Sequence, residues 1–233
     1  QAIVAAAEAG VKVVVLDPGQ NGVQQMAQAL QGMHDVDSIS VVSHGDAGVL
    51  LLGNGPLFSG NLQDHSADLK AIGDALGTHG DLLLYGCDVG AGEEGALFLS
   101  GLAELTGADV AASEDGTGTA ARGGDWELEI STGAIDAAPV LDADSLEGYS
   151  YFLHTASVSN RAQLQAAITT GATDGVADII TLIGNITFTG SSDTITLNIT
   201  DGQLTTIVGG GFTLNGNNQA RVIDVALDDR SGR

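Results

Sequence analysis

Short apolar runs alternate with amphipathic segments over the first part of the chain, up to about residue 150. The runs are bounded by turn residues and have the length of buried strands: residues 11–16, 39–43, 48–53, 81–87 and 108–113. The segments between them place apolar side chains at helical spacing: residues 23–33, 64–76 and 93–105. Residues 126–130 alternate like an edge strand. Strands that alternate with helices predict βαβ units and a mainly parallel sheet, which is an α/β fold.

The pattern changes between residues 149 and 155, after which Thr, Ile, Asn and Gly dominate. Residues 160–170 predict one helix, with Leu164, Ala167 and Ile168 facing inward. Short β runs separated by Gly, Asn and Asp follow it: residues 179–182, 186–188, 194–199, 204–208, 212–214 and 222–225. This spacing predicts a small all-β unit, the first rungs of a right-handed parallel β-helix capped by that helix. We therefore expect two domains, residues 1–153 and residues 154–233, as part of a longer protein.

The net charge of the chain limits the kinds of molecule that it can bind. The 233 residues include 30 Asp and Glu against 7 Lys and Arg, a net charge of −23. Binding to nucleic acid through phosphate neutralisation is therefore not expected. The dispersed carboxylates favour solubility, with calcium binding as the alternative interpretation. No apolar run approaches the roughly 20 residues of a transmembrane helix, and no signal peptide is visible.

Two of the predicted strands end in residues that suit nucleophilic catalysis. VVSHG brings His44 to the end of one strand, and LLLYGC brings Cys87, the single Cys, to the end of another. In open parallel sheets, reactive residues collect beyond the carboxyl ends of adjacent strands. The placement predicts a Cys–His pair built from residues distant in sequence. A buried structural Cys and a turn His are the alternative interpretation.

These strand ends resemble the His-Gly and Cys signatures of clan CD cysteine peptidases, which have the caspase-like fold. From about residue 13 to residue 149 the chain more closely resembles a bacterial family, domain of unknown function 4347. The matching segments are SHGDAGVLLLG, LLLYGCDVGAGEEG, LTGADVAASEDGTG and GGDWELE. The resemblance implies a caspase-like, mainly parallel sheet with flanking helices, near the start of a large secreted or surface adhesin. It also implies a strand before the helix that starts at Gln1, and we expect this sequence to lack that strand.

The resemblance further implies roles for individual residues. Cys87 would attack a scissile carbonyl, and His44 would protonate the leaving amine. The backbone N–H groups of Gly45 and Cys87 would form the oxyanion hole. Glu114 and Asp115 follow the next strand, where caspase-like folds build part of the specificity pocket. A carboxylate there would favour Arg or Lys before the cleaved bond.

The other polar residues leave two interpretations open. Arg122, in the Gly-rich segment GTGTAARGG, is a candidate self-cleavage site or an ordinary loop residue. Asp46 and Asp88 follow the His and Cys strand ends, and would orient His44, bind calcium or simply be solvated. The remaining histidines lack the spacing of metal ligands and suit the surface: His34, His65, His79 and His154.

Together these observations predict a cysteine endopeptidase-like domain that cleaves a peptide substrate. Its own polypeptide is the predicted substrate. No cofactor is required for that chemistry, and calcium is the activator that the acidic charge favours. A catalytically silent caspase-like scaffold or binding module of an adhesin is the alternative. A polysaccharide-active β-helix has no support, because no carboxylates cluster on successive rungs. The sequence leaves the oligomeric state open.

Overall fold

The computed structural model describes residues 2–146, 149–173, 176–190 and 192–225. Gln1, where the first helix was expected to begin, and residues 226–233 of the expected second domain lie outside these ranges. The chain divides into two compact units, Gln1–His154 and Thr155–Arg233. Within the described residues, no helix combines the length and apolar character that a membrane crossing needs.

The first unit is built from short strands and helices in alternation. Its described strands are β1 Val36–Val42, β2 Gly45–Asp46, β3 Val49–Leu52, β4 Gly55–Phe58, β5 Leu76–Tyr85, β6 Asp109–Ala112 and β7 Ile130–Ser131. Its helices are α1 Ala2–Ala5, α2 Gly22–Ala29, α3 Ser66–Ala75, α4 Gly92–Thr106 and α5 Ala143–Leu146. Two 3₁₀ turns, Leu62–His65 and Ala120–Arg122, complete the set. The helix expected over residues 93–105 ends as expected at Gly107, whose φ is +74°.

The main sheet has the strand order β1-β5-β6-β7, with β1, β5 and β6 parallel and β7 antiparallel to β6. Its central strand, β5, is buried on both faces. Leu82 and Leu84 pack in one core with side chains of α3 and α4, and Leu83 and Tyr85 face a second cluster that includes Trp126. The predicted α/β architecture, a mostly parallel sheet with flanking helices, is therefore confirmed.

Two predicted strands differ from the structure. Residues 11–16 form no strand: Val15 is 78% exposed, and the Lys12 ammonium donates to the Ala29 carbonyl oxygen at 2.9 Å. The run is apolar enough for a buried strand, but it does not pair with the free edge of β1. Among the described strands, β5 is the only ladder partner of β1. The strand expected over residues 126–130 shrinks to Ile130–Ser131, because Trp126 turns toward the second cluster and not along a ladder.

The second unit stacks its strands in parallel, in two two-stranded sheets and one three-stranded sheet. Its described elements are β8 Ala156–Val158, α6 Arg161–Gly171, β9 Asp178–Leu182, β10 Ile186–Thr187, β11 Ile195–Leu197, β12 Thr205–Val208, β13 Leu214–Asn215 and β14 Ile223–Val225. Asp178 lies opposite Thr205, 27 residues later, in the β9–β12 pair. Ile186 lies opposite Leu214 and Ile195 opposite Ile223, each 28 residues later. Three successive strands thus meet their partners at one nearly constant offset.

The core of the second unit is aliphatic. Leu164 and Ile168 of α6 are buried with strand residues such as Ile180 and Ile195, and Ala167 packs against them, as the helical spacing predicted. The Asn160 side chain caps α6 by accepting the Gln163 N–H at 3.0 Å. The right-handed β-helix stays a prediction, because the described residues show parallel stacking of short strands without a complete solenoid.

Candidate functional site

The parallel pairing of β1 with β5 brings the His and Cys strand ends together. Val42 lies opposite Tyr85 at the carboxyl end of this pair. His44 follows Val42 by two residues and Cys87 follows Tyr85 by two residues, so both emerge at the same edge of the sheet. The expected juxtaposition therefore follows from strand register alone.

The backbone N–H groups of Gly45 and Cys87 point at the same atom. The Gly45 nitrogen lies 2.8 Å and the Cys87 nitrogen 3.2 Å from the carbonyl oxygen of Leu153. A Cβ on Gly45 would lie 2.8 Å from the Cys87 carbonyl oxygen, so only Gly fits between the two strand ends. Two donors from separate strands that converge on one carbonyl oxygen have the arrangement of an oxyanion hole.

The segment that carries Leu153 lies against the His44 and Cys87 strand ends, and this region is called the cleft below. Leu153 donates its N–H to the Thr117 carbonyl at 3.0 Å, and Thr119 donates its N–H to the Tyr151 carbonyl at 3.0 Å. Gly118 and Phe152 form an antiparallel bridge between these two bonds. The Leu153 side chain is only 4% exposed. The chain thus occupies its own cleft through a short antiparallel ladder.

The Cys87 thiol lies in a dry environment. Its residue is fully buried, and its Sγ accepts the Thr117 N–H at 3.2 Å and lies 3.4 Å from the Thr117 carbonyl oxygen. Burial raises the pKa of Cys87 to about 11, against the opposing effect of the Thr117 N–H, and the Asp88 charge raises it further. At neutral pH the sulfur therefore carries a proton in this arrangement.

The imidazole of His44 faces the residue that follows Leu153. Its Nδ1 lies 3.1 Å from the carbonyl oxygen of His154. Because a carbonyl oxygen only accepts, Nδ1 carries the hydrogen in this bond. Burial lowers the pKa of His44, although the bond to His154 acts in the opposite direction. Among the described residues, no hydrogen bond joins His44 to Cys87 Sγ.

The two acids next to the strand ends have different partners. Asp88 has φ +61°, donates its N–H to the Asp115 carbonyl at 2.7 Å, and places Oδ2 3.7 Å from Nδ1 of His154. Asp46 accepts the N–H of Ala47 through Oδ1 at 2.8 Å. The recorded ion pair of Asp88 thus involves His154, while the calcium roles suggested for both acids stay predictions.

Glu114 and Asp115 lie at the start of the segment that pairs with Tyr151 and Leu153. Both are exposed, and the Glu114 N–H donates to Glu129 Oε2 at 2.9 Å. Carboxylate oxygens of Asp115, Asp125 and Glu129 lie within 4.8 Å of one another, close enough to share a cation. Desolvation, with the charges of Asp125 and Glu129, raises the pKa of Asp115. The preference for a basic residue that Glu114 and Asp115 would create stays a prediction.

Arg122 lies on the surface, at the end of the 3₁₀ turn Ala120–Arg122. The turn is closed by the Arg122 N–H, which donates to the Thr119 carbonyl at 3.0 Å. Arg122 is exposed, as a loop residue would be, and its role as a cleavage site stays a prediction.

Leu153, Thr117 and Thr119 had no role in the sequence-based interpretation, which treated residues 149–155 only as a domain boundary. The short apolar run at residues 151–153 was the available signal, because such runs favour extended, buried chain. That pattern does not predict that residues 117–119 pair with this segment.

The comparisons with known proteins identify one family. A family model described as a domain of unknown function (DUF4347) matches residues 1–153. No curated protein and no solved structure matches the chain. The matched residues include His44, Gly45, Cys87 and Leu153, the residues that meet at the cleft. The chain therefore belongs to the DUF4347 family.

Proposed function

We propose that the first unit is a caspase-like cysteine endopeptidase that cleaves its own polypeptide. The observation that carries this proposal is the convergence of the Gly45 and Cys87 N–H groups on one carbonyl oxygen. These donors lie next to a thiol and an imidazole, at the carboxyl ends of adjacent parallel strands. Nucleophile, proton carrier and oxyanion donors are the parts that acyl transfer requires.

Each part has a defined task in the proposed reaction. Cys87 Sγ forms a bond to the carbonyl carbon, and the Gly45 and Cys87 N–H groups stabilise the negative charge on the oxygen. His44 receives the thiol proton and supplies a proton to the leaving nitrogen, so the C–N bond breaks to give a thioester and a free amine. Water then attacks the thioester with His44 as the base, which releases a carboxylic acid and restores the thiol.

The electrostatics of the cleft indicate a resting pair without charge. The raised pKa of Cys87 keeps the thiol protonated, and the lowered pKa of His44 keeps the imidazole neutral. A neutral imidazole can accept the thiol proton of Cys87. The Cys87–His44 pair therefore carries the one proton that passes to the leaving nitrogen. The absence of a preformed thiolate makes cleavage slow until Sγ and His44 approach each other.

The second candidate function is a catalytically silent scaffold or binding module. It is favoured by the same buried thiol and by the missing hydrogen bond between His44 and Cys87 in the described residues. In that case Leu153 and its neighbours would be a structural strand that closes the cleft. The two functions differ in one measurable property, which is cleavage that depends on Cys87.

For the second unit we propose the opening coils of a right-handed parallel β-helix in a secreted or surface adhesin. The parallel pairs at offsets of 27 and 28 residues support stacked coils. The helix α6, whose buried side chains join the same aliphatic core, suits the cap of such a stack. Self-cleavage in the first unit would separate it from those coils.

We propose calcium as the cation that modulates the domain. Asp115, Asp125 and Glu129 supply clustered carboxylate oxygens, the ligand type that calcium prefers. The Gly118 N–H donates to the Asp125 carbonyl at 3.0 Å, and Gly118 bridges Phe152 in the cleft ladder. A cation on this cluster would therefore reduce the charge repulsion beside that ladder.

The test is incubation of the purified full chain, with and without calcium, followed by intact mass spectrometry. We expect discrete fragments from the wild type, none from Cys87→Ala, and strongly slowed cleavage in His44→Ala. His34→Ala is the matched control, because His34 is exposed and pairs only with neighbouring Asp35 in the described structure. Identical fragments from wild type and Cys87→Ala would overturn the proposal and favour the silent scaffold.

A further inference from the structure

We propose that the bond cleaved is the peptide bond between Leu153 and His154, and that an apolar side chain is required before it. This inference rests on the proposed function and names its substrate. The attacked carbonyl is the one whose oxygen accepts both oxyanion donors, and that oxygen belongs to Leu153. Its distances to the Gly45 and Cys87 nitrogens, 2.8 and 3.2 Å, are those of hydrogen bonds.

The thiol lies beside the same residue. The Cys87 N–H donates to the Leu153 carbonyl oxygen at 3.2 Å, so the residue that carries Sγ and the Leu153 backbone are neighbours. Thr117 links the two directly, because its N–H donates to Cys87 Sγ while its carbonyl accepts the Leu153 N–H. The nucleophile and the carbonyl that it would attack are therefore held by one residue of the partner strand.

The imidazole lies on the leaving side of the bond. His44 Nδ1 is bonded to the carbonyl oxygen of His154, the residue whose nitrogen would leave. Gly45 and His154 also form a parallel bridge, which fixes this residue next to the His strand end. The His44 imidazole is thus held beside the residue whose nitrogen must receive a proton.

The chain before the bond pairs with another segment through its backbone. Two hydrogen bonds and one bridge join residues 117–119 to residues 151–153. A strand added to an exposed edge through its backbone is a recurrent mode of peptide recognition, with alternate side chains read by pockets. Leu153 is buried, at 4% exposed, whereas Tyr151 is 70% exposed. Leu153 is therefore the side chain of this segment whose identity we expect to matter for cleavage.

Aromatic contacts hold the segment further upstream. The Tyr149 ring meets Trp126 edge-on at 5.3 Å and Tyr151 at 5.6 Å between ring centroids. Trp126 in turn lies 6.2 Å from Tyr85 at the end of β5. These contacts stay on the amino-terminal side of the bond, so they survive its cleavage.

The position of the bond along the chain suits a processing site. The family match ends at residue 153, and the second unit begins at Thr155. Cleavage after Leu153 would separate the first unit from the second without cutting an element of either. Cleavage at Arg122 would instead divide the first unit inside the segment between β6 and β7.

The experiment follows cleavage of the full chain by intact mass and by sequencing of the new amino terminus. We expect products that span residues 1–153 and 154–233. Leu153→Arg should slow cleavage at least about tenfold, because a charged group cannot be buried where the Leu153 side chain lies. Leu97→Arg on α4 is the matched control, since Leu97 is 58% exposed and should tolerate the same change. Circular dichroism of both variants checks that they fold.

Each other outcome has a distinct meaning. Fragments that depend on Cys87 but begin at another residue, such as Gly123, would overturn this inference and leave the proposed endopeptidase standing. Unchanged or faster cleavage of Leu153→Arg would also overturn it, in favour of acidic specificity from Glu114 and Asp115. The absence of any cleavage that depends on Cys87, with or without calcium, would overturn both proposals.

Discussion

The Asp88 carboxylate faces the His154 imidazole, with Oδ2 3.7 Å from Nδ1, directly after the residue whose N–H binds Leu153. The backbone of Asp88 is left-handed, with φ +61°. Asn adopts that conformation as readily as Asp does. Asp88→Asn therefore removes the charge while it keeps the turn that follows Cys87.

The first prediction concerns the reactivity of the thiol. Because the Asp88 charge contributes to the raised pKa of Cys87, Asp88→Asn should lower that pKa and speed alkylation by iodoacetamide several-fold at pH 8. The wild-type thiol should react more than about a hundredfold slower than free cysteine, since so little of it is thiolate. Asp37→Asn, at the other end of β1, is the control, and equal rates in all three chains would contradict this cause.

The second prediction tests the oxyanion donors. Gly45→Ala should slow self-cleavage by about 100-fold, the usual effect of losing one such donor, because its Cβ would push the Gly45 N–H away from Leu153. Gly77→Ala is the matched control, since the nearest atom to its Cβ would lie at an ordinary 3.5 Å. First-order rates of fragment formation give the comparison. Similar slowing in both variants would point to lost stability as the cause.

The third prediction is the pH profile of cleavage. The active pair holds one proton, which requires a pH above the pKa of His44 and below that of Cys87. The first pKa is lowered from its ordinary 6.5 and the second is raised to about 11. Rates should therefore stay level from pH 7 to 9, fall only below pH 6.5 as His44 becomes protonated, and fall again near pH 11. A maximum confined to pH 6–7 would contradict it.

The fourth prediction concerns calcium. If the ion binds Asp115, Asp125 and Glu129, then calcium at ten times its dissociation constant should stabilise the chain by about 1.4 kcal/mol, measured as a rise in Tm. Asp125→Asn should remove most of that shift, and protonation of Asp115, whose pKa is raised, should weaken it at low pH. Asp74→Asn on α3, outside the triad, is the control. An equal calcium shift in both variants would exclude this cluster.

The fifth prediction concerns the second unit. Asn160→Ala removes the side-chain acceptor of the Gln163 N–H at the start of α6 and should cost about 1 kcal/mol. Asn160→Asp keeps the acceptor and serves as the control. Hydrogen exchange at the Leu164 amide should accelerate in the Ala variant alone.

The sequence was sufficient for the parts of the site that depend on strand order. VVSHG and LLLYGC are apolar on both faces, and the helix between them requires a parallel crossover, so His44 and Cys87 had to emerge together. The same rule predicted a strand at residues 11–16 and was wrong there. Apolar character indicates that a run is suited to burial, but it does not determine whether the run pairs with the edge of a neighbouring strand.

The position of the Leu153 segment in the cleft could not be predicted from the sequence, for a different reason. The ladder between Thr117 and Leu153 joins positions 36 residues apart through backbone atoms only, and backbone bonds leave little trace in side-chain patterns. The raised pKa of Cys87 could not be predicted from the sequence either. A Cys at a strand end suits an activated thiolate as well as a buried thiol, and only the packing around it separates the two.

The ladder between residues 117–119 and 151–153 has a consequence for turnover. All of its bonds lie on the amino-terminal side of the Leu153–His154 bond, in the same unit as Cys87. After a cut there, the new terminal carboxylate of Leu153 would stay tethered against the Gly45 and Cys87 N–H groups at a very high local concentration. Competing peptides would find the groove filled. Such a domain would act once per molecule, a stoichiometric reagent whose product is also its inhibitor.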